Sequence, residues 1–140
     1  MSLGWVRDAC DLLLAPDASL DGIARWLGTE PPAGGRLLRV DRPQRVGALN
    51  VVALERDGAP AFVSAHYAAG EGPTLAAVEA ELGPAEEMPG PVVGPYQVAF
   101  DAPPPSAAAA CVVLATTDGP PGEPATDRRV VEIVVRRDAA

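Results

Sequence analysis

The sequence contains no lysine, one histidine and two cysteines among its 140 residues. Its basic charge comes from 11 arginines, which 19 acidic residues outnumber, so the formal net charge is -8. Nucleic acids and anionic membranes attract proteins through cationic side chains that neutralise phosphates. We therefore expect neither a nucleic acid nor a membrane among the partners of this protein.

Long apolar runs are also missing, since none approaches the roughly 18 residues of a membrane-spanning helix. The apolar run at 12–15 is short, and Asp8 and Asp11 interrupt the residues before it, so we predict no secretory signal. Cys10 and Cys111 lie far apart in the sequence and form no metal-ligand spacing. We expect two free buried thiols, no metal, no cofactor and a cytoplasmic protein.

What the sequence does contain is one short pattern that occurs twice, at 19–28 and at 74–83. Each copy opens with a hydroxyl residue that can cap a helix. Branched apolar residues then recur at helical spacing, and a glycine suited to helix closure ends each copy. We interpret residues 1–140 as a single domain built from two tandem pseudo-repeats, about 19–69 and 74–137.

Each repeat is predicted to contain a helix followed by three strands. An Asp57-Gly58 pair predicts a tight hairpin turn between the second and third strands. The third strand has no cleanly polar face, which favours an interior position in the sheet. This order predicts an α+β fold, in which two tandem helix-plus-three-strand repeats form an antiparallel sheet with helices on one face. The predicted helices cover about 3–14, 19–28 and 74–83, and the predicted strands about 36–41, 48–56, 60–68, 96–101, 108–116 and 129–137, with a brief extra strand at 92–93.

His66 is the only histidine and the first candidate for chemistry. Its imidazole could act as a general base near neutral pH. Ser64 lies two residues away, so both side chains would share a face of a strand, and a hydroxyl beside an imidazole is the basis of an activated nucleophile. No G-x-S-x-G motif accompanies them and nothing in the sequence identifies a third partner. A structural role for His66 is the alternative.

A basic run is the second candidate site, because Arg36, Arg39, Arg42 and Arg45 recur at every third position. The planar guanidinium group suits carboxylates and phosphates, so an acidic partner could dock there. Local salt bridges with the acidic surface are the alternative. The densest acidic cluster is interpreted as a solvated surface rather than a cation site, and it comprises Glu79, Glu81, Glu86 and Glu87.

The repeated pattern S/T-L-x-x-[I/V]-x-x-x-L-G, followed by strands, resembles the helix-then-sheet modules of the β-lactamase inhibitory proteins and their small lipoprotein relatives. The resemblance covers about residues 19–137. It implies a concave sheet of two modules that grips a partner protein. This chain departs from that family because no signal peptide and no cysteine pair within each half are predicted. Its size, acidity and order of elements also look like the dimeric chaperones of bacterial secretion systems, which typically end in a helix rather than a strand.

These features favour a bacterial non-catalytic protein-binding module that is inhibitor-, immunity- or chaperone-like. The repeat, the acidic charge and the lack of a complete catalytic motif support this hypothesis, and binding would use the open sheet face or the arginine run. A homodimer is compatible with the same features. The alternative is a small-molecule-binding protein, or an enzyme, with a cleft near His66.

Overall fold

The computed structural model describes residues 3–88, 96–100 and 109–139, and within these ranges it contains three helices and seven strands. None of the three helices is long and apolar enough to cross a membrane. The predicted strand at 92–93 lies outside the described residues. The helices are α1 (Gly4–Leu14), α2 (Leu20–Trp26) and α3 (Leu75–Leu82), and the strands are β1 (Leu37–Asp41), β2 (Asn50–Arg56), β3 (Ala59–His66), β4 (Glu86–Glu87), β5 (Tyr96–Phe100), β6 (Ala109–Thr117) and β7 (Val130–Ala139).

The seven strands form one antiparallel sheet in the order β1-β2-β3-β7-β6-β5-β4. Asp57 and Gly58 join β2 to β3, and both have the positive φ angles, 54° and 84°, of a two-residue hairpin turn. β3 lies between β2 and β7, so its predicted interior position is confirmed. The α+β fold with an antiparallel sheet is confirmed as well.

One face of the sheet packs against α1 and α2 and carries the core. Alternate strand residues point to this face because strand side chains alternate between the two sides. The buried strand residues are Val51, Ala53, Val63, Ala65, Val98, Val113, Ala115, Ile133 and Val135, and α1 contributes Trp5, Val6, Ala9, Cys10 and Leu13. Leu75 and Val78 of α3 belong to the same cluster.

The two copies of the sequence pattern form equivalent helix starts. The Ser19 hydroxyl accepts a hydrogen bond from the Gly22 N–H at 3.0 Å, and the Thr74 hydroxyl accepts one from the Ala77 N–H at 3.2 Å. Both residues therefore cap a helix as predicted. The sheet reads outward from the β3–β7 pair as β2 and β1 on one side and β6, β5 and β4 on the other. The tandem repeat as such stays a prediction.

Strand β4 was not predicted because two residues are too short to show a period. A tertiary contact holds it in place. Arg128, only 3% exposed, donates from its guanidinium to the Glu87 carboxylate and, at 2.8 Å, to the Thr117 hydroxyl. A buried guanidinium requires such partners, since an unpaired buried charge is costly. β4 is thus fixed by a residue that follows it far along the chain.

Candidate functional site

The sheet surface opposite α1 and α2, called here the open face, has no described helix packed on it. The pairing registers place directly opposed residues on the same face, so every second residue of the central strands points to this side. Antiparallel sheets commonly present a polar second face to water. The open face is instead largely apolar at its centre, where the half-buried side chains are Val52, Leu54, Phe62, Val112, Leu114 and Val134.

Three polar side chains, called here the polar trio, lie at one end of this apolar surface: Ser64, His66 and Glu132. Asn50 and Thr116 pair with His66 and Glu132 on the neighbouring strands and continue the polar row. The Ser64 Oγ and His66 Nε2 atoms are 2.9 Å apart, and His66 Nδ1 lies 3.2 Å from Glu132 Oε2. With the Glu132 carboxylate as acceptor, His66 Nδ1–H donates to it, and in the neutral imidazole Nε2 then accepts from the Ser64 hydroxyl. The three side chains therefore form a continuous hydrogen-bonded chain from β3 to β7.

Strand geometry positions each member of the trio. Ser64 and His66 are two residues apart on β3, so their side chains point the same way. His66 pairs directly with Glu132 of β7, which brings the carboxylate alongside the imidazole. The two sequence-predicted residues are thus brought together, and Glu132 is the partner that sequence reasoning missed. The sequence does distinguish Glu132, since it is the one charged residue in the apolar run 130–135.

The trio lines a shallow depression of about 360 Å³, together with Val52, Phe62 and Val134. Acyl transfer by a serine requires an exposed hydroxyl and N–H donors for the oxyanion. Ser64 is only 4% exposed. It also lies opposite Val52 on one side and Val134 on the other, so the neighbouring backbone N–H groups belong to strand ladders. The geometry therefore favours hydrogen bonding to a docked surface over nucleophilic attack.

The arginine run does not form one patch. Arg45 donates to the Trp26 carbonyl at 2.7 Å, and its guanidinium lies 5.9 Å from the centre of the Trp26 ring. Arg39 pairs with Asp41 at 3.3 Å on an exposed surface, which is the local salt bridge given as the alternative. Arg36 and Arg42 are exposed at the two ends of β1. The run therefore has one member bound to α2 and three members along the sheet edge.

Three members of the acidic cluster, Glu81, Glu86 and Glu87, are exposed, and some members also accept hydrogen bonds or form an ion pair. The Glu79 carboxylate accepts from the Ala85 N–H at 2.9 Å, and the Glu81 carboxylate accepts from the Leu3 N–H at 3.0 Å. Glu87 pairs with Arg128. These carboxylates stabilise chain turns and contacts because they accept from otherwise unpaired donors. In the described ranges no group of three or more His, Cys, Asp or Glu side chains could hold a metal ion.

A second, polar depression of about 260 Å³ lies at one end of the sheet beside Arg42, Gln44 and Glu71, and Tyr67 also lines it. Burial raises the pKa of Tyr67 to about 12, and the nearby Trp5 indole lowers it by a smaller amount. Within the described ranges the Tyr67 hydroxyl and the Trp5 indole N–H lie close enough to interact, but neither completes a full hydrogen bond. This depression has no cluster of reactive groups comparable to the polar trio.

The two cysteines meet inside the core. Both are free and buried, as the sequence predicts, although they come from α1 and β6. A hydrogen bond with Cys111 holds the pKa of the Cys10 thiol below its ordinary value. Their burial at 1% and 4% exposure makes them part of the packing rather than of an accessible site.

No protein-family model, curated protein or solved structure matches this chain. The resemblances described above therefore stay at the level of a short motif. A function must be inferred from the open face, the polar trio and the sheet edge themselves.

Proposed function

We propose that this protein is a non-catalytic binding module that docks another protein on the open face. The apolar centre of this face, which no described helix covers, is the observation that carries the proposal. Contiguous apolar surface rimmed by polar residues is typical of interaction sites in proteins. The four central strands β2, β3, β7 and β6, each about eight residues long, cover roughly 500 Å² of sheet plane. This area follows from a strand spacing of about 4.8 Å and a rise of about 3.3 Å per residue. Side-chain relief brings that area towards the roughly 800 Å² per partner of a stable interface.

The polar trio supplies specificity in this proposal. A partner that covers the open face removes water from Ser64, His66 and Glu132, which already satisfy one another. Burying a polar group is tolerated when it is hydrogen-bonded and costly when it is not. A partner surface that offers an N–H or O–H to the second oxygen of Glu132 is therefore favoured over a purely apolar one.

The partner is a different protein rather than a second copy of this chain. The net charge of -8 makes two copies repel each other, whereas it attracts a partner with a net positive surface. A partner with an apolar contact surface and a net positive charge fits on both counts. We also propose the finer organisation predicted from the sequence: two tandem modules at about 19–69 and 74–137, acting in the cytoplasm in an inhibitor-, immunity- or chaperone-like role.

A small-molecule site or hydrolase at the depression is the second candidate. Only the connectivity of the polar trio favours it. A serine bonded to a histidine, which is bonded to a carboxylate, matches the nucleophile–base–acid order of a catalytic triad. Hydrolysis of a p-nitrophenyl ester by the purified protein, compared with Ser64→Ala, tests this candidate directly. Turnover that disappears in the folded variant would replace the binding proposal.

The docking test compares Val134→Lys with Met88→Lys. Val134 lies at the centre of the open face, whereas Met88 is an exposed apolar residue after β4, 40% exposed, and is the matched control. Partners captured from the native lysate are identified, purified and titrated calorimetrically against each variant. We expect the Val134 variant to bind at least about tenfold more weakly, because a buried unpaired ammonium is costly. Equal binding by both variants would refute docking on the open face, and light scattering that reveals a dimer broken by Val134→Lys would make a second copy the occupant.

A further inference from the structure

The outer edge of β1 is a separate feature that the open-face proposal does not use. β1 is the terminal strand of the sheet. The Arg36 carbonyl accepts from the Glu55 N–H at 2.8 Å, and the Arg42 N–H donates to the Leu49 carbonyl at 2.9 Å. Antiparallel pairing alternates, so even-numbered residues of β1 bond to β2 and odd-numbered ones point their N–H and C=O groups outward.

The residues whose backbone N–H and C=O groups point away from the sheet are Leu37, Arg39 and Asp41. Leu37 is 57% exposed, more than any other large apolar side chain in the described ranges. The side chains of Arg39 and Asp41 are 64% and 75% exposed, and among the described residues they pair with each other. Such a surface pair contributes little stability, so the guanidinium is available to a carboxylate from another chain. The edge therefore offers free backbone groups, one apolar contact and one exchangeable cation.

The charge of this edge is opposite to that of the whole chain. Arg36 and Arg42 are exposed at its two ends and Arg39 at its centre, while the chain carries a net charge of -8. Charged residues on an edge strand block pairing with neutral or like-charged strands. The same arginines favour a strand that carries carboxylates, because opposite charges directly across a strand pair stabilise it.

We propose that β1 binds an extended, acidic segment of another protein, which joins the sheet as an additional strand. The backbone groups of Leu37, Arg39 and Asp41 supply the main-chain hydrogen bonds. An acidic side chain of the segment lies opposite Arg39, and an apolar one lies beside Leu37. This site goes beyond the open face and does not depend on it.

A second copy of β1 fits this edge less well. In the antiparallel register with the fullest overlap, Leu37 of each copy faces Asp41 of the other. Arg39 then faces its own counterpart, and like charges directly opposite each other destabilise a strand pair. Charge complementarity thus selects an acidic segment rather than a copy of this chain.

The test uses fluorescence anisotropy of the intact protein with a labelled peptide of about seven residues that has glutamate at its centre, valine two residues to either side of it and threonine elsewhere. A peptide with lysine in place of glutamate is the matched probe. We expect the acidic peptide to bind at least about tenfold more tightly than the basic one, and raising salt from about 0.05 M to about 0.3 M to weaken it. Equal binding of both peptides, or no binding of the acidic one, would overturn the proposal.

Three variants locate the site. Arg39→Glu should reverse the peptide preference. Arg7→Glu makes an equal charge change at an exposed position of α1 and should leave the preference unchanged. Leu37→Pro removes an outward N–H that the added strand needs, so it should abolish binding. The protein should still fold, because β2 does not use this N–H and proline is tolerated on edge strands. Its melting temperature is measured alongside, and Arg39→Glu decides the outcome where the proline variant does not fold.

The result is separable from the open-face proposal. Val134→Lys should leave peptide binding intact, because it changes the open face and not the edge. Loss of peptide binding in Val134→Lys alone, or wild-type binding by both Leu37→Pro and Arg39→Glu, would refute the edge site. A dimer that dissociates in Leu37→Pro would assign the edge to a second copy and overturn the acidic segment.

Discussion

Replacing Tyr67 with phenylalanine gives the sharpest test of how the core is built. The hydroxyl is buried without a full hydrogen bond to any described residue, and burial raises its pKa from 10.0 to about 12. Because the folded pKa is the higher one, the unfolded chain ionises first as the pH rises. The stability that the neutral phenol contributes is therefore complete below pH 10 and is lost between about pH 10 and about pH 12.

The size of this loss follows from the shift. A shift of about two units corresponds to about 2.7 kcal/mol in full, and to about 1.4 kcal/mol at pH 11. Tyr67→Phe cannot ionise, so its free energy of unfolding should exceed that of the wild type by this amount at pH 11. At pH 7 the two proteins should differ by less than about 1 kcal/mol, since the variant removes an unsatisfied hydroxyl.

Urea unfolding at pH 7, 10 and 11 measures the effect, with Tyr96→Phe as the matched control. Tyr96 is partly exposed on β5, so its replacement should not protect the protein from alkali. Parallel loss of stability in the wild type and in Tyr67→Phe would show that this phenol is not desolvated in the folded protein. The core arrangement around Trp5 and Tyr67 would then have to be revised.

Three further predictions concern contacts that hold the fold together. Glu87→Ala leaves Arg128 buried without its carboxylate, so chemical denaturation should show a loss of about 2–4 kcal/mol, whereas the exposed Glu86→Ala should lose less than about 0.5 kcal/mol. Gly72→Ala would place a Cβ against a backbone carbonyl oxygen of β7. We expect the free energy of unfolding to fall by more than about 2 kcal/mol, or the protein not to fold, and a lower melting temperature or insoluble protein would show this. Ser19→Ala removes the cap of α2 and should cost about 1 kcal/mol in the same denaturation assay, and an unchanged value would show that the cap is dispensable.

The binding and catalytic hypotheses for the polar trio differ in a physical way. A nucleophilic serine is activated in order to leave its hydrogen bond and attack, which requires room above Oγ and preorganised N–H donors. Ser64 is nearly buried within an interior strand whose backbone pairs on both sides, so its described neighbours offer little room and no unpaired strand N–H. Polar residues that satisfy one another within an apolar surface suit a docking face, where they add specificity without an unpaired buried group.

The two proposed surfaces would allow one partner to bind in two ways or two partners to bind together. The side chains of Leu37, Arg39 and Asp41 point to the same side of the sheet as the polar trio, as their pairing with β2 requires. A segment added at β1 would therefore extend the open face rather than compete with it. The separate variants at Val134 and Arg39 distinguish these arrangements.

Local sequence patterns determined most of the secondary structure. The hydroxyl caps at Ser19 and Thr74, the Asp57-Gly58 turn and the alternation of apolar residues act through neighbouring residues alone, so they could be interpreted without the fold. The α+β class and the antiparallel sheet followed from the order of these elements. The pairing of Ser64 with His66 also followed, since two strand residues separated by one must share a face.

Only the tertiary structure decided which distant residues meet. Glu132 completes the trio because β7 returns to pair with β3, and β4 forms because the chain returns to pair with β5, where Arg128 also contacts Glu87. Cys10 reaches Cys111 through helix packing rather than any sequence spacing. Sequence periodicity specifies which side of an element is apolar, whereas the strand order, which fixes long-range pairs, depends on packing the whole chain into one core.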